Sequence, residues 1–187
     1  MKTFAYSLLA LLVLVGGPAR AATDDLMRDD GIHMEKWMHL ENHNLGKDLA
    51  RAKKDGKGFV ILYEQPGCTA CAGLHAEVLS KPDVVKFITK GFNVHLMNTK
   101  GDKKITDFEG DIISEEDYAN QRVVAYTPST IFYDGGGEEV FRLPGYLPPL
   151  YYKAAFKYVR EGGPEKKIGF VPWVKANMER LEAEEGS

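Results

Sequence analysis

Two cysteines three residues apart, Cys68 and Cys71, are the only cysteines among the 187 residues of the chain. A pair at this spacing can form a structural disulfide, bind a metal or change its oxidation state. The chain is long enough to bury a core of its own and does not need a disulfide for stability. Because a disulfide stabilises more when it closes a longer loop, a bridge this short would restrain little of the chain.

A metal site is a second interpretation of the same residues. Cys68, Cys71 and His75 could supply three ligands to zinc or copper. A fourth ligand would have to come from a histidine whose spacing gives no support, namely His33, His43 or His95. A copper or zinc handling protein therefore stays open as an alternative. His75 alone is interpreted as a residue on the helix surface, or as one close enough to tune the cysteines.

Redox exchange is the third interpretation, and the elements around the pair favour it. The apolar, β-branched run at residues 58–63 predicts a strand buried on both faces. A proline and a glycine end this strand, and a helix is predicted from near Thr69. Cys68 would lie at the start of that helix, where free N–H groups and the helix dipole favour a thiolate. Cys68 would then attack a disulfide, and Cys71 would resolve the mixed intermediate.

Other helices and strands follow from local patterns. Helical patterns cover residues 44–54, 82–90, 114–121 and 149–160. Strands are predicted at residues 92–97, 129–133 and 138–142, the last two as an antiparallel hairpin. Residues 99–113 are predicted to be an insertion or long loop, and residues 22–44 an irregular or partly helical lead-in. A short amphipathic helix opening at Pro172 is expected to dock on its own domain. This order predicts an α/β fold with ligands near the carboxyl ends of the parallel strands.

The first 21 residues have the pattern of an export leader. A basic start, a short apolar run at residues 8–15 and an Ala-Arg-Ala site predict a secretory signal peptide cut after Ala21. The run is shorter than the roughly 20 residues that span a bilayer, so no stable membrane insertion is expected. The predicted location is the periplasm or the exterior, which are oxidising compartments. The formal net charge is −3 with no basic stripe, so nucleic acid is not an expected partner.

A Thr-Pro pair opens the predicted strand at residues 129–133. Proline is tolerated at the first position of a strand. By itself the pair predicts no more than an ordinary turn, and the sequence does not show whether the Thr127-Pro128 bond is cis.

Taken together, the Cys68-to-Cys71 motif between strand and helix and the Thr127-Pro128 hairpin resemble the thioredoxin fold over residues 45–160. This resemblance implies a central mixed sheet of four to five strands flanked by helices, with an inserted loop and a C-terminal helical tail. The implied division is a signal peptide at 1–21, a lead-in at 22–44, a thioredoxin-like domain at 45–162 and a tail at 163–187.

The chain is more closely similar to secreted bacterial thioredoxins of the SoxW type, which are associated with sulfur oxidation. The segments that carry this likeness are Tyr63–Cys71, Val94–Met97, Thr106–Phe108, Tyr126–Ser129 and Leu143–Leu147. The likeness implies a thiol:disulfide oxidoreductase that reduces disulfides of exported client proteins without a cofactor. Cys68 would be the nucleophile, Cys71 the resolving thiol and Pro128 a cis-proline, with Thr127 lining the substrate backbone. A membrane thiol transporter would supply electrons.

Two departures from the family pattern affect this expectation. The family's buried acid, six residues before the first cysteine, falls on Leu62, so Glu64 becomes the candidate for proton transfer, with a plain surface acid as the alternative. The residues Thr69 and Ala70 between the cysteines supply neither positive charge nor imidazole. A fairly reducing potential is therefore expected. A disulfide oxidant, using the same residues in the opposite direction, stays as a further alternative.

Overall fold

The computed structural model describes residues 26–38 and 43–185, so the predicted signal peptide at 1–21 lies outside the described residues. Its strands are β1 Leu26–Met27, β2 His33–Met34, β3 Gly58–Glu64, β4 Phe92–Asn98, β5 Lys104–Thr106, β6 Ile112–Ser114, β7 Ser129–Tyr133 and β8 Glu139–Pro144. Its α-helices are α1 Leu45–Lys54, α2 Thr69–Leu74, α3 Pro82–Gly91, α4 Glu115–Gln121, α5 Pro149–Arg160 and α6 Phe170–Glu185. A π-helical turn, His75–Leu79, continues directly from α2.

The central sheet is mixed and has the strand order β4-β3-β7-β8. Strand β3 pairs parallel with β4 and antiparallel with β7, and β8 pairs antiparallel with β7. Every residue of β3 from Phe59 to Glu64 is buried, because helices cover both faces of the sheet. The predicted mixed sheet and its central strand are confirmed, with four strands.

Alternate residues of β3 point into two different cores. Val60 and Leu62 pack in the core that also holds residues of α2, α3 and α5. Ile61 and Tyr63 pack in the opposite core, which holds residues of α1 and α4. Side chains two residues apart on a strand share a face, so Glu64 lies on the same side as Leu62. That is the side covered by the helix that carries the cysteines.

Capping residues begin two of the helices where the sequence predicted. The Asn44 side chain accepts a hydrogen bond from the Lys47 backbone N–H at 2.8 Å, which starts α1. The Ser114 side chain accepts one from the Asp117 backbone N–H at 3.0 Å, which starts α4. Such caps satisfy N–H groups that the helix itself leaves unpaired. They fix the helix starts independently of tertiary packing.

The insertion and the lead-in are more regular than the sequence predicted. Residues 99–113, expected to be a loop, contain β5 and the start of β6, which form an antiparallel pair with Ile105 opposite Ile113. The lead-in contains the antiparallel pair β1 and β2, and no helix occurs in its described residues 26–38. Strands of two or three residues are too short to show an alternating pattern, so the sequence contained no indication of these two strand pairs.

The C-terminal tail forms a longer helix than expected. Helix α6 has 16 residues and begins at Phe170, before the predicted start at Pro172. Trp173, Val174 and Leu181 of α6 are buried in a cluster with Ala154 and Tyr158 of α5. The helix therefore docks on its own domain as expected. Within the described ranges, no helix combines the length and apolar character needed to cross a membrane.

Candidate functional site

The two cysteines lie at the carboxyl end of β3, where the chain turns into α2. Cys68 is the N-cap residue of α2, with extended backbone angles, and Cys71 lies in the first turn of the helix. The two residues form a disulfide, with their Cα atoms 5.2 Å apart. The Cys71 backbone N–H donates to Cys68 Sγ at 3.1 Å, so the sulfur takes the place of the usual capping oxygen. This donor and the helix dipole would stabilise negative charge on Cys68 Sγ when the disulfide is reduced.

The two sulfurs differ in access. Cys68 is half-buried, and the residues on either side of it, Gly67 and Thr69, are exposed. Cys71 is fully buried. A client sulfur can reach the first sulfur and not the second. The arrangement suits an attacking thiolate followed by a resolving thiol.

The start of β7 lies beside the cysteines. The Thr127-Pro128 peptide bond is cis. The Thr127 hydroxyl donates to Cys68 Sγ at 3.4 Å, and the Gly145 N–H donates to the Pro128 carbonyl at 2.7 Å. The structure thus brings the Thr-Pro pair next to Cys68 and Cys71, although the pair follows the cysteines by about 60 residues in the sequence. The neighbouring Tyr126 is exposed, so this edge of the site is open to solvent.

Behind the cysteines lies a buried chain of three ionisable side chains. His75 Nε2 is 2.9 Å from Glu64 Oε1, and His75 Nδ1 is 2.9 Å from Glu35 Oε1. All three residues are at most 6% exposed. The second carboxylate oxygen of Glu64, Oε2, is buried and has no hydrogen-bond partner among the described residues. We call Glu35, His75 and Glu64 the buried triad.

Two interpretations from the sequence are wrong at this point. Glu64 is not a surface acid, because β3 carries it into the core on the same face as Leu62. His75 is not a helix-surface residue, because it lies on the buried face of the helix with Cys71 and Leu74, where its imidazole sits between two carboxylates. Residues two apart on a strand share a face, so the position of Glu64 two residues after Leu62 could have predicted that its side chain points into the core.

The surroundings of His75 act on its pKa in opposite directions. Burial alone would lower the pKa of the imidazole, because it disfavours the charged form. The hydrogen bonds and negative charges of Glu35 and Glu64 outweigh burial and raise the His75 pKa to about 9. His75 is therefore an imidazolium at neutral pH, and both of its ring N–H groups donate to carboxylates.

The three-ligand metal site is not assembled. Both ring nitrogens of His75 are engaged by carboxylates, and Cys68 and Cys71 are bonded to each other. No group of three or more His, Cys, Asp or Glu residues with metal-binding geometry occurs within residues 26–38 and 43–185. The geometry gives no support to the interpretation of this pair as a metal carrier.

Comparisons with known proteins agree with this geometry. A family model described as a thioredoxin-like domain matches residues 45–160. No curated protein sequence matches the chain.

Solved structures supply the other likenesses. A thioredoxin-fold protein from Helicobacter pylori is 19% identical with a TM-score of 0.61, and the match covers 79% of this chain and 94% of that protein. A thioredoxin from Thermus thermophilus is 25% identical with a TM-score of 0.52, covering 67% and 91%. A putative disulphide-isomerase from Bacteroides thetaiotaomicron is 20% identical with a TM-score of 0.50, covering 72% and 95%.

Proposed function

We propose a function from the premise that this chain belongs to the thioredoxin-like domain family and is a thiol:disulfide oxidoreductase. In this proposal the protein is exported and reduces disulfides of client proteins in the periplasm. The observation that carries the proposal is the unequal access of the two sulfurs, with Cys68 reachable at the helix start and Cys71 buried. The signal peptide that the sequence predicts at residues 1–21 leads us to propose this location. The likeness to SoxW-type thioredoxins leads us to include carrier proteins of sulfur oxidation among the clients.

The reaction is a pair of thiol exchanges. The Cys68 thiolate attacks one sulfur of the client disulfide, forming a mixed disulfide and releasing the other client sulfur as a thiolate. Cys71 then loses its proton and attacks Cys68 Sγ, which releases the second client sulfur. The client gains two electrons, and the protein is left with the Cys68–Cys71 disulfide. A membrane thiol transporter is the electron source that we propose for the return to the dithiol.

Other residues near the sulfurs have proposed roles in this cycle. The Thr127 hydroxyl, 3.4 Å from Cys68 Sγ, would stabilise the attacking thiolate by hydrogen bonding. Thr127 and Pro128 would line the client backbone, and the exposed Tyr126 next to them would extend that contact. Glu64 would accept the proton of Cys71.

The proposed direction of electron flow is reduction of the client. The pair between the cysteines is Thr69-Ala70, so no side chain there adds positive charge to stabilise the thiolate. A less stabilised thiolate makes the dithiol a better reductant. The same residues would also support the opposite direction if the measured potential were high.

Reduction of a defined protein disulfide tests the activity. Purified protein lacking residues 1–21 should reduce insulin in the presence of dithiothreitol, and Cys68→Ser should abolish this activity. Cys71→Ser should accumulate a mixed disulfide with the insulin chain, because Cys68 can attack but nothing resolves the intermediate. Cys68→Ser is the matched control, since it also keeps a single cysteine, but the remaining Cys71 is buried. An equal yield of mixed disulfide from both variants would refute the assigned roles.

The location needs its own test. The full chain expressed in a Gram-negative host should be recovered from the periplasmic fraction, with a mature protein that begins at residue 22 by mass spectrometry. Recovery of the uncleaved chain from the cytoplasm would contradict export while leaving the exchange chemistry intact.

A further inference from the structure

The buried triad lies close to the resolving cysteine. Cys71, Leu74 and His75 are all fully buried or nearly so, which places them on the face of the helix that packs against the sheet. His75 follows Cys71 by four residues, which is about one helical turn or about 6 Å along the axis. Glu64 comes from the strand beneath that face and is hydrogen-bonded to His75. The triad therefore begins about one turn below the buried sulfur.

Glu35 joins the triad from outside the matched thioredoxin-like domain, which begins at residue 45. The segment that carries it is held in place by buried contacts. The Arg28 guanidinium donates to both carboxylate oxygens of Glu115, at 3.1 and 2.6 Å, and Ile32 is fully buried in the main core. The Asn98 side chain donates to Asp30 at 2.9 Å. These contacts between the N-terminal segment and the domain fix the position of Glu35.

One of the two carboxylate oxygens of Glu64 makes no hydrogen bond with the described residues. Glu64 Oε1 accepts from His75, but the buried Oε2 has no hydrogen-bond partner among the described residues. An unpaired buried carboxylate oxygen is costly, so its persistence calls for an explanation. An oxygen that is to accept a proton from a thiol must have no other hydrogen-bond donor bound to it, as is the case for Glu64 Oε2 within the described part of the chain.

We propose that Glu35 and His75 are positioning residues that hold the Glu64 carboxylate with Oε2 free, so that Glu64 takes the proton of Cys71 when the mixed disulfide is resolved. The N-terminal segment at residues 26–38 is then a working part of the redox site. This inference rests on the proposed function, since it assigns the proton of its second exchange step.

The resolving step moves one proton and exchanges one disulfide bond for another. The S–H bond of Cys71 breaks, and its proton goes to Glu64 Oε2. The electron pair left on Cys71 Sγ forms the bond to Cys68 Sγ, and the bond from Cys68 to the client sulfur breaks. The client leaves as a thiolate, which later takes a proton from water or from Glu64. No further oxidant or reductant is needed.

Charge in the surroundings supports the assignment. Two carboxyl groups, those of Glu35 and Glu64, share the single imidazole of His75, so the triad has one more acidic group than basic groups. Other titratable groups that face the triad are His33 of β2, whose ring centroid is 5.3 Å from that of His75, Tyr152 of α5 and the cysteine pair itself. Tyr152 stays neutral, because burial raises its pKa above its usual value.

A two-step thiol reaction tests the proposal. When the reduced protein is mixed with excess 5,5′-dithiobis(2-nitrobenzoate), the first chromophore released reports the attack by Cys68, and the second reports resolution by Cys71. Glu35→Ala should slow the second release by about tenfold or more and shift its pH profile, while the first release changes by less than about twofold. Glu77→Ala, which removes an exposed glutamate from the same helical turn as His75, is the matched control and should leave both releases unchanged.

Titration of His75 in the unaltered protein provides a test that does not depend on a variant that folds. NMR of the labelled imidazole should give a different midpoint in the oxidised and reduced protein, because the triad senses the charge and proton of Cys71. A purely structural triad would titrate identically in both states. Identical midpoints, or an unchanged second release in folded Glu35→Ala protein, would overturn the inference while leaving the proposed function intact. Absence of any second release in the wild type would overturn the exchange mechanism itself.

Discussion

The N-terminal segment at residues 26–38 and the C-terminal helix α6 both lie outside the part of the chain that matches the thioredoxin-like domain, yet they attach to it differently. The N-terminal segment binds through buried ion pairs and reaches the redox site through Glu35. Helix α6 packs on α5 through aromatic and aliphatic side chains, and its ion pairs with Lys157 and Glu161 each include an exposed partner. Apolar contacts stabilise without regard to chemistry, whereas a buried charge next to a redox pair acts on its protons. We therefore expect changes in α6 to affect stability alone and changes in the triad to affect both stability and exchange.

The largest effect is expected at the centre of the triad. His75→Leu removes the partner of two buried carboxylates and should lower the free energy of unfolding by about 4 kcal/mol, because a buried charge is left unpaired. The same variant should slow resolution by Cys71. Chemical denaturation and the two-step thiol reaction measure the two effects. A variant that loses stability but keeps the wild-type rate of resolution would show that the triad has only a structural role.

The second prediction concerns α6. Trp173→Ala should lower the free energy of unfolding by about 3 kcal/mol, since it empties a buried site next to Tyr158. The potential of the cysteine pair and both thiol releases should stay as in the wild type. Val171→Ala, at an exposed position of the same helix, is the control and should change the stability by less than about 0.5 kcal/mol. A change in the potential of Trp173→Ala would remove the contrast between the two regions.

Stability should also depend on pH through His75. Its pKa rises from about 6.5 in the unfolded chain to about 9 in the fold, so the folded state binds the proton more tightly. This contribution is fully present below about pH 6.5 and is lost as the pH rises to about 9. The loss should be about 3 kcal/mol in denaturation curves measured across that range. Glu35→Gln should flatten the dependence by removing one of the two charges, and an unaltered slope in that variant would contradict the assignment.

Much of the site could be predicted because its signals are local. A continuous apolar strand followed by proline and glycine placed Cys68 at a helix start, and the structure has it at the N-cap. The glycine-rich turn between β7 and β8 identified the hairpin that carries Pro128. These features depend on neighbours within a few residues, which is the range over which backbone propensities act.

The triad could not be predicted because its contacts are long-range. Glu35 meets His75 across 40 residues, and the strands that position it are only two residues long. A two-residue strand has no periodicity, so the lead-in gave no signal of its pairing. Helical spacing from Cys71 and Leu74 places His75 on the buried face, but the sequence did not show that Glu35 and Glu64 would be there to pair with a buried imidazole.

The measurement that tests the central claim most directly is the equilibrium reduction potential of the Cys68/Cys71 pair. Purified protein lacking residues 1–21 would be equilibrated with defined ratios of reduced and oxidised dithiothreitol or glutathione, and free thiols counted by mass spectrometry. We predict a potential at or below about −220 mV, on the reducing side of the glutaredoxin range. A potential near about −120 mV, typical of a strong oxidant, would contradict the account and reverse the direction of electron flow.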